Sequence, residues 1–213
     1  MTKKQRVKGI IEALEKLYPK AECSLDYTTP HELLVAVILA SQCTDARVNI
    51  VTEELFKKYT CPEDFAAATV EEMEEAVRST GFYRAKAKAI VNSSRRKVEV
   101  YGGKVPDTIE ELLTLDGVGR KIANLMIGEV YGKPAVIVDT HVKRLAGRMG
   151  LTESKNPDII ERDLRKILPE DKSTHFNHLM VFHGRAVCKG QRPDCENCAA
   201  APYCKYGTKV LKK

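Results

Sequence analysis

The sequence has no long apolar run. The longest is Leu33–Ala40, eight residues, far short of the roughly 20 that a membrane-spanning helix needs. The N-terminal stretch MTKKQRVKGIIEALEKL lacks a signal-peptide apolar centre and already has the pattern of a helix. There is no sustained period-two alternation of the strand kind and no low-complexity segment. A disulfide framework is missing too. The seven cysteines are an odd number, with Cys23, Cys43 and Cys61 scattered and four crowded near the C-terminus. That usage excludes a secreted, disulfide-stapled domain and points to a metal site in a reducing compartment. The expectation is a soluble, all-α cytoplasmic protein of about ten helices with no membrane partner.

What is present is charge, unevenly placed. The net charge is +6, yet residues 84–104 carry seven Lys/Arg against one Glu, and residues 184–213 carry seven against two acids. The remainder is net acidic. Two basic blocks on an acidic chain suggest a polyanion partner; ordinary solvated helix faces are the plainer alternative.

Apolar spacing places the helices. Val7, Ile10, Ile11, Leu14 and Leu17 form one face, closed by Pro19. Thr29-Pro30-His31-Glu32 reads as a capping box with Pro at the first helical position. The helix it opens, Leu33–Ala40, is apolar all round, which predicts burial. It ends in Ser41-Gln42-Cys43-Thr44-Asp45, and the next helix should turn Val48, Val51 and Leu55 inward. Thr69 caps a helix with Met73, Ala76 and Val77 inside. Gly81 stops it, and residues 84–101 form a long one. A break near Gly132–Pro134 suggests a domain boundary.

Two constellations carry chemistry. The first is Leu112–His141, read as helix, hairpin at Asp116–Gly119, and helix from Arg120. Gly117 and Gly119 allow positive φ and close backbone approach. The free N–H groups there and at the helix start can bind a phosphate. Lys121 lies in the first turn, beside Arg120. Both the helix dipole and that neighbour disfavour its ammonium form, so a partly desolvated Lys121 can serve as an amine nucleophile; a surface lysine touching phosphate is the alternative. Asp139 follows the apolar run Val136-Ile137-Val138, which suits either a carboxylate at a buried edge or a helix N-cap. The second constellation is Cys188, Cys195, Cys198 and Cys204, spaced C-x6-C-x2-C-x5-C. Four thiolates can hold zinc or a 4Fe–4S cluster, and the unequal spacing suits the cluster. Lys189 and Arg192 in the long loop are candidate phosphate contacts.

Together L-x-G-V-G-R-K-x-A-N at Leu115–Asn124, V-D-T-H-V at Val138–Val142 and the cysteine pattern resemble the endonuclease III family. This is the iron–sulfur branch of the helix-hairpin-helix DNA glycosylases. One departure is Asp116, where the family usually has Pro. The resemblance implies a two-lobed fold. A helical barrel lobe would span 22–132, with the helix-hairpin-helix motif at about 108–131, and a 4Fe–4S lobe would combine 1–21 with 133–213. It implies a monomer acting on double-stranded DNA that contains damaged pyrimidines or abasic sites, nucleoid-associated in a prokaryote. The implied activity is excision of oxidised pyrimidines followed by β-elimination at the abasic site. Lys121 and Asp139 would be catalytic. Gly117, Gly119, Arg120 and His141 would lie along the DNA, and Gln42 would fill the gap left by the flipped base. Phe82 is a candidate second wedge, with a core aromatic as the alternative. A non-enzymatic DNA-binding module is the rival class, and Lys121 with Asp139 weighs against it. Adenine-removing relatives carry an acid on the buried helix, whereas Leu33–Ala40 is apolar.

Overall fold

The structure, a computed structural model, describes residues 1–212. Among them there are twelve α-helices, three short 3-10 turns and no strand. The helices are Lys3–Leu17 (α1), Pro30–Leu39 (α2), Asp45–Lys58 (α3), Pro62–Ala67 (α4), Val70–Val77 (α5) and Tyr83–Tyr101 (α6). Ile109–Leu112 (α7), Arg120–Tyr131 (α8), Thr140–Met149 (α9), Pro157–Arg165 (α10), Ser173–Ala186 (α11) and Lys205–Val210 (α12) follow. The count exceeds the expected ten because α4 and α12, six residues each, are too short to show a helical period. No helix among the described residues is long and apolar enough to cross a membrane.

The chain forms two compact units, Ser24–Gly132 and Met1–Cys23 with Lys133–Lys213. In the central unit α2 is the core element. Thr29 accepts from the Glu32 amide and Glu32 reaches back to the Thr29 amide, the reciprocal capping box, with Pro30 at the first position. Leu33 to Leu39 are all buried, against α3, α6 and α8. Truncating Leu33 or Leu34 to Ala falls in the range of about 2–5 kcal/mol typical of buried leucines. Thr44 caps α3 and Thr69 caps α5. Their inner faces differ in detail from the spacing-based expectation: Thr52 is buried in α3 where Val51 is half-buried, and Ala76 of α5 is exposed. Thr52 satisfies its hydroxyl on Val48 and Asn49 carbonyls, so a polar side chain sits inside at little cost.

In the other unit α1, α9, α10 and α11 surround one apolar cluster, including Ile10, Leu14, Leu145, Met149, Leu164, Phe176 and Met180. Residues 135–138 form neither helix nor strand, and the first three of them are buried. Ser173 Oγ accepts from the Ala135 amide at 3.1 Å, which supplies a partner that no neighbouring strand provides.

The basic block at 84–104 is not all surface. Lys86 and Lys97 point into the central unit. Lys86 donates to the Thr80 carbonyl at 2.8 Å, and Lys97 is fully buried against His31. Two of the seven cations are thus structural, and the field available to a polyanion is smaller than the sequence count suggests.

Candidate active site and cysteine loop

The hairpin is built from the inside out. Leu112 and Leu115 anchor the strand of chain entering it, and Val118 plugs its far side into the core. Leu113, next to Leu112 in the chain, is exposed. The Val118 amide donates to the Leu115 carbonyl at 3.1 Å, closing a turn with Asp116 and Gly117 at its centre. Gly117 has φ +77°, and a Cβ there would stand 2.8 Å from Ala89 Cβ. Only glycine meets both demands. Gly119 does not need left-handed backbone: its φ is −91°. It serves instead as the N-cap of α8, and a Cβ there would meet nothing within 4 Å. The space in front of the helix start is open.

That helix start has no side-chain cap and no acid in its first turn. Its amides are therefore free of the Ser, Thr or Asp oxygens that close α1, α2, α3, α5, α7 and α9, and Arg120 and Lys121 sit on it, both exposed. Uncapped amides with adjacent cations form an anion site. The exposure of Lys121 corrects the expectation of a desolvated amine: the protein surface does not bury it. Further along α8 the buried residues are Ala123, Asn124, Met126, Ile127 and Gly128, whereas Ile122, Leu125 and Val130 are only half-buried.

Asp139 is the N-cap of α9. Its Oδ1 accepts from the Val142 amide at 2.7 Å, and the residue is half-buried at the end of the buried Ala135–Ile137 run. Both sequence readings of Asp139 describe the same geometry, because one carboxylate oxygen caps while the group stays partly open. His141, the second residue of α9, lies 3.1 Å from Arg144 Nη2 through Nδ1 and packs over Gly184.

Three non-glycine residues among those described have left-handed backbone: Gln42 (φ 53°), Phe82 (φ 49°) and Arg192 (φ 48°). All three are candidate DNA contacts. Strained backbone of this kind costs energy and concentrates at functional sites. Phe82 is 66% exposed, which removes the core-aromatic alternative. Nothing in the local sequence announces these conformations.

The four C-terminal cysteines line one small cavity. Cys188 comes just after Val187, the C-cap of α11, and Cys204 caps α12, its Sγ accepting from the Gly207 amide at 3.3 Å. Burial pushes the Cys198 thiol up to about 11, and burial also raises Cys195 and Cys204. Ionised sulfurs so placed require a cationic centre, which deprotonates coordinating thiols outright. No three His, Cys, Asp or Glu side chains among the described residues are gathered as ligands of a single ion. Lys189 and Arg192 are exposed on the loop. Arg148 braces it, donating to the Lys189 and Gly190 carbonyls at 2.6 Å each and to Cys188 Sγ at 3.4 Å. His183, 0% exposed, sets Nε2 3.3 Å from Cys198 Sγ and Nδ1 3.2 Å from the Tyr18 hydroxyl. Sequence reading missed Arg148 and His183. Only the spacing of Arg144 and Arg148, four apart on one helix, hinted at a shared target.

Residues 35–170 match the model of the HhH-GPD superfamily of base excision DNA repair proteins. Endonuclease III of Synechocystis sp. is 50% identical over 95% of this chain and 93% of its own length. Endonuclease III of Bacillus subtilis is 41% identical over 98% and 96%. The chain belongs to the endonuclease III family. A solved non-covalent endonuclease III–DNA complex superposes with a TM-score of 0.92 at 41% identity, covering 100% of both chains. A trapped covalent endonuclease III–DNA intermediate gives 0.91. A thermostable thymine-DNA glycosylase, 22% identical, shares the fold with a TM-score of 0.87. The endonuclease III fold therefore extends through the cysteine loop, beyond the superfamily match.

Proposed function

We propose that this enzyme removes oxidised pyrimidines from duplex DNA, with Lys121 as nucleophile and Asp139 as its acid–base and electrostatic partner. Its class is that of the bifunctional DNA N-glycosylases with AP lyase activity in base excision repair. The observation that carries the residue assignment is an exposed lysine on the first turn of a helix without a side-chain cap, directly after Gly119, where an added Cβ would meet no atom within 4 Å.

The backbone amides at Gly119 and the start of α8 hold a phosphate, while Arg120, His141, Lys189 and Arg192 add contacts that fix register. The target nucleotide leaves the stack. Gln42 enters the vacated space and Phe82 wedges the neighbouring step. The free amine of Lys121 attacks C1′, and the glycosidic electron pair departs with the base. Asp139 stabilises the developing positive charge on the sugar and receives the ammonium proton. The sugar opens to an iminium on Lys121. Loss of a C2′ proton expels the 3′ phosphate by β-elimination, and water frees the lysine. Closure of DNA over Lys121 supplies the desolvation that the bare protein surface does not.

Asp139→Asn separates two roles of one side chain. Asn caps helices about as well as Asp, so α9 and the melting temperature are expected to stay unchanged. Excision under single-turnover conditions is expected to fall about 10²–10⁴-fold, the scale of a lost acid–base group, with DNA affinity retained. Full turnover in the variant would remove Asp139 from the chemistry.

The four cysteines that line one cavity, Cys188, Cys195, Cys198 and Cys204, would hold a 4Fe–4S cluster; their unequal C-x6-C-x2-C-x5-C spacing favours it over zinc, whose structural sites more often use paired C-x2-C knuckles. The cluster supplies folding energy to the tail and takes no part in the steps above. The purified protein is expected to be brown, with absorbance at the blue end of the spectrum; a colourless protein carrying one zinc per chain overturns this assignment. We further infer a monomer working in the cytoplasm, at the nucleoid. The overall reading is tested by borohydride added to protein and abasic-site duplex, which is expected to yield a covalent adduct.

A further inference from the structure

We propose that Asn92 and Asp116 form a positioning pair that sets the hairpin for phosphate binding, doing with a side-chain hydrogen bond what a proline at the same turn position would do covalently. This rests on the reading that the hairpin grips phosphate.

The turn from Leu115 to Val118 carries Asp116 at its second position and Gly117, φ +77°, at its third. Positive φ at the third position is the mark of a type II turn, in which proline favours the second position by fixing its φ. Aspartate brings no such restraint. It also places a carboxylate beside a site meant for an anion. Asn92 answers both problems. Its Nδ2 donates to Asp116 Oδ2 at 2.7 Å, which ties the turn to α6 and turns a carboxylate oxygen toward a donor. The same face of α6 supplies the rest of the seat. Ala89, three residues earlier, backs Gly117. Arg96, four residues later, donates from Nε to Thr114 Oγ1 at 3.0 Å, and Tyr101 Oη lies 3.1 Å from the same hydroxyl. Residues 89, 92 and 96 share a helix face, so one stripe of α6 holds the entire entry to the hairpin. Asn92 and Asp116 touch neither substrate nor reacting atoms in this scheme; they act through the backbone amides of the hairpin.

The test uses four variants of the full-length protein, with affinity for abasic duplex and saturating single-turnover rate measured separately. Asn92→Ala is expected to weaken affinity about three- to tenfold, the scale of one net hydrogen bond, and to leave the saturated rate within twofold. Asn92→Asp sets two carboxylates face to face and is expected to weaken affinity further. Asp116→Pro combined with Asn92→Ala is expected to restore affinity, an outcome that a purely structural role of Asn92 elsewhere in the fold would not give. Gly117→Val is the control for the underlying reading, since it cannot hold the turn. Loss of affinity in Gly117→Val with none in Asn92→Ala overturns the positioning pair alone. Normal affinity in Gly117→Val overturns the phosphate-grip reading and the pair with it. Failure of proline to rescue Asn92→Ala also overturns the pair.

Discussion

Lys121→Gln is expected to give no borohydride-trapped adduct and to lose base excision by about 10⁴-fold or more, the scale on which removal of an acting nucleophile falls. Lys121 is exposed and adjoins an open space, so the substitution disturbs no packing. Surface changes of this kind usually alter stability by less than about 0.5 kcal/mol. The amide is one atom shorter but keeps a hydrogen-bond donor, so a lysine that only touches phosphate would lose modest affinity and nothing else. The two roles therefore separate in one measurement. Trapping abolished with DNA affinity within a few-fold identifies a nucleophile; trapping retained in Lys121→Gln moves the Schiff base to another amine. Affinity at rising salt gives the second axis. Each phosphate contact contributes a slope of about −0.9 in log affinity against log salt. Lys121→Gln should lower the slope by at most one contact, because the hairpin amides and the cations of the cysteine loop remain.

The sequence made the helices legible where capping and periodicity agree. Thr29 with Glu32 and Thr69 with Glu72 mark helix starts with both reciprocal bonds formed, because those bonds depend on residues three apart and on nothing distant. The cysteine motif was equally plain, since ligand spacing survives in one dimension. What was hidden depends on tertiary contact. Asn92 lies 24 residues from Asp116, and Arg148 lies 41 residues from the Lys189 carbonyl it holds. The left-handed conformations of Gln42, Phe82 and Arg192 occur at residue types that do not favour them, so propensity gives no warning. The burial of Lys97 was concealed for a different reason. A lysine within a run of surface cations, Arg95-Arg96-Lys97, reads as one more solvated charge, although its position in the stripe Ile90, Ser93, Ser94, Lys97 is that of an inward residue.

That lysine carries the largest expected effect on stability. Lys97 is 0% exposed, with Nζ against His31 Nδ1, and His31 in turn packs edge-on against Phe65. Burial lowers Lys97 to about 7, opposed by the nearby Glu63 carboxylate, and burial together with Lys97 lowers His31 to about 3. In the unfolded chain the lysine holds its proton to about pH 10.5. Between about 7 and 10.5 the unfolded state therefore binds the extra proton, and stability rises with pH by up to about 1.4 kcal/mol per unit from this group. Below that window the folded state carries the buried charge at full cost. Acidification through the range from 6.5 toward 3 removes further stability as the unfolded imidazole protonates first. Lys97→Met keeps an unbranched side chain of similar reach and is expected to erase the rise between pH 7 and 10, measured as melting temperature against pH. Its effect at pH 7 combines relief of a buried charge with an imidazole left without a partner, each worth a few kcal/mol. Lys97→Met with His31→Phe removes both polar groups, and replacement of a buried polar pair by apolar side chains is neutral or stabilising. The double variant should therefore melt at or above the wild-type temperature at pH 7 and show neither pH window. A wild-type pH profile that parallels the single variant from pH 7 to 10 would place the titrating proton elsewhere than on Lys97.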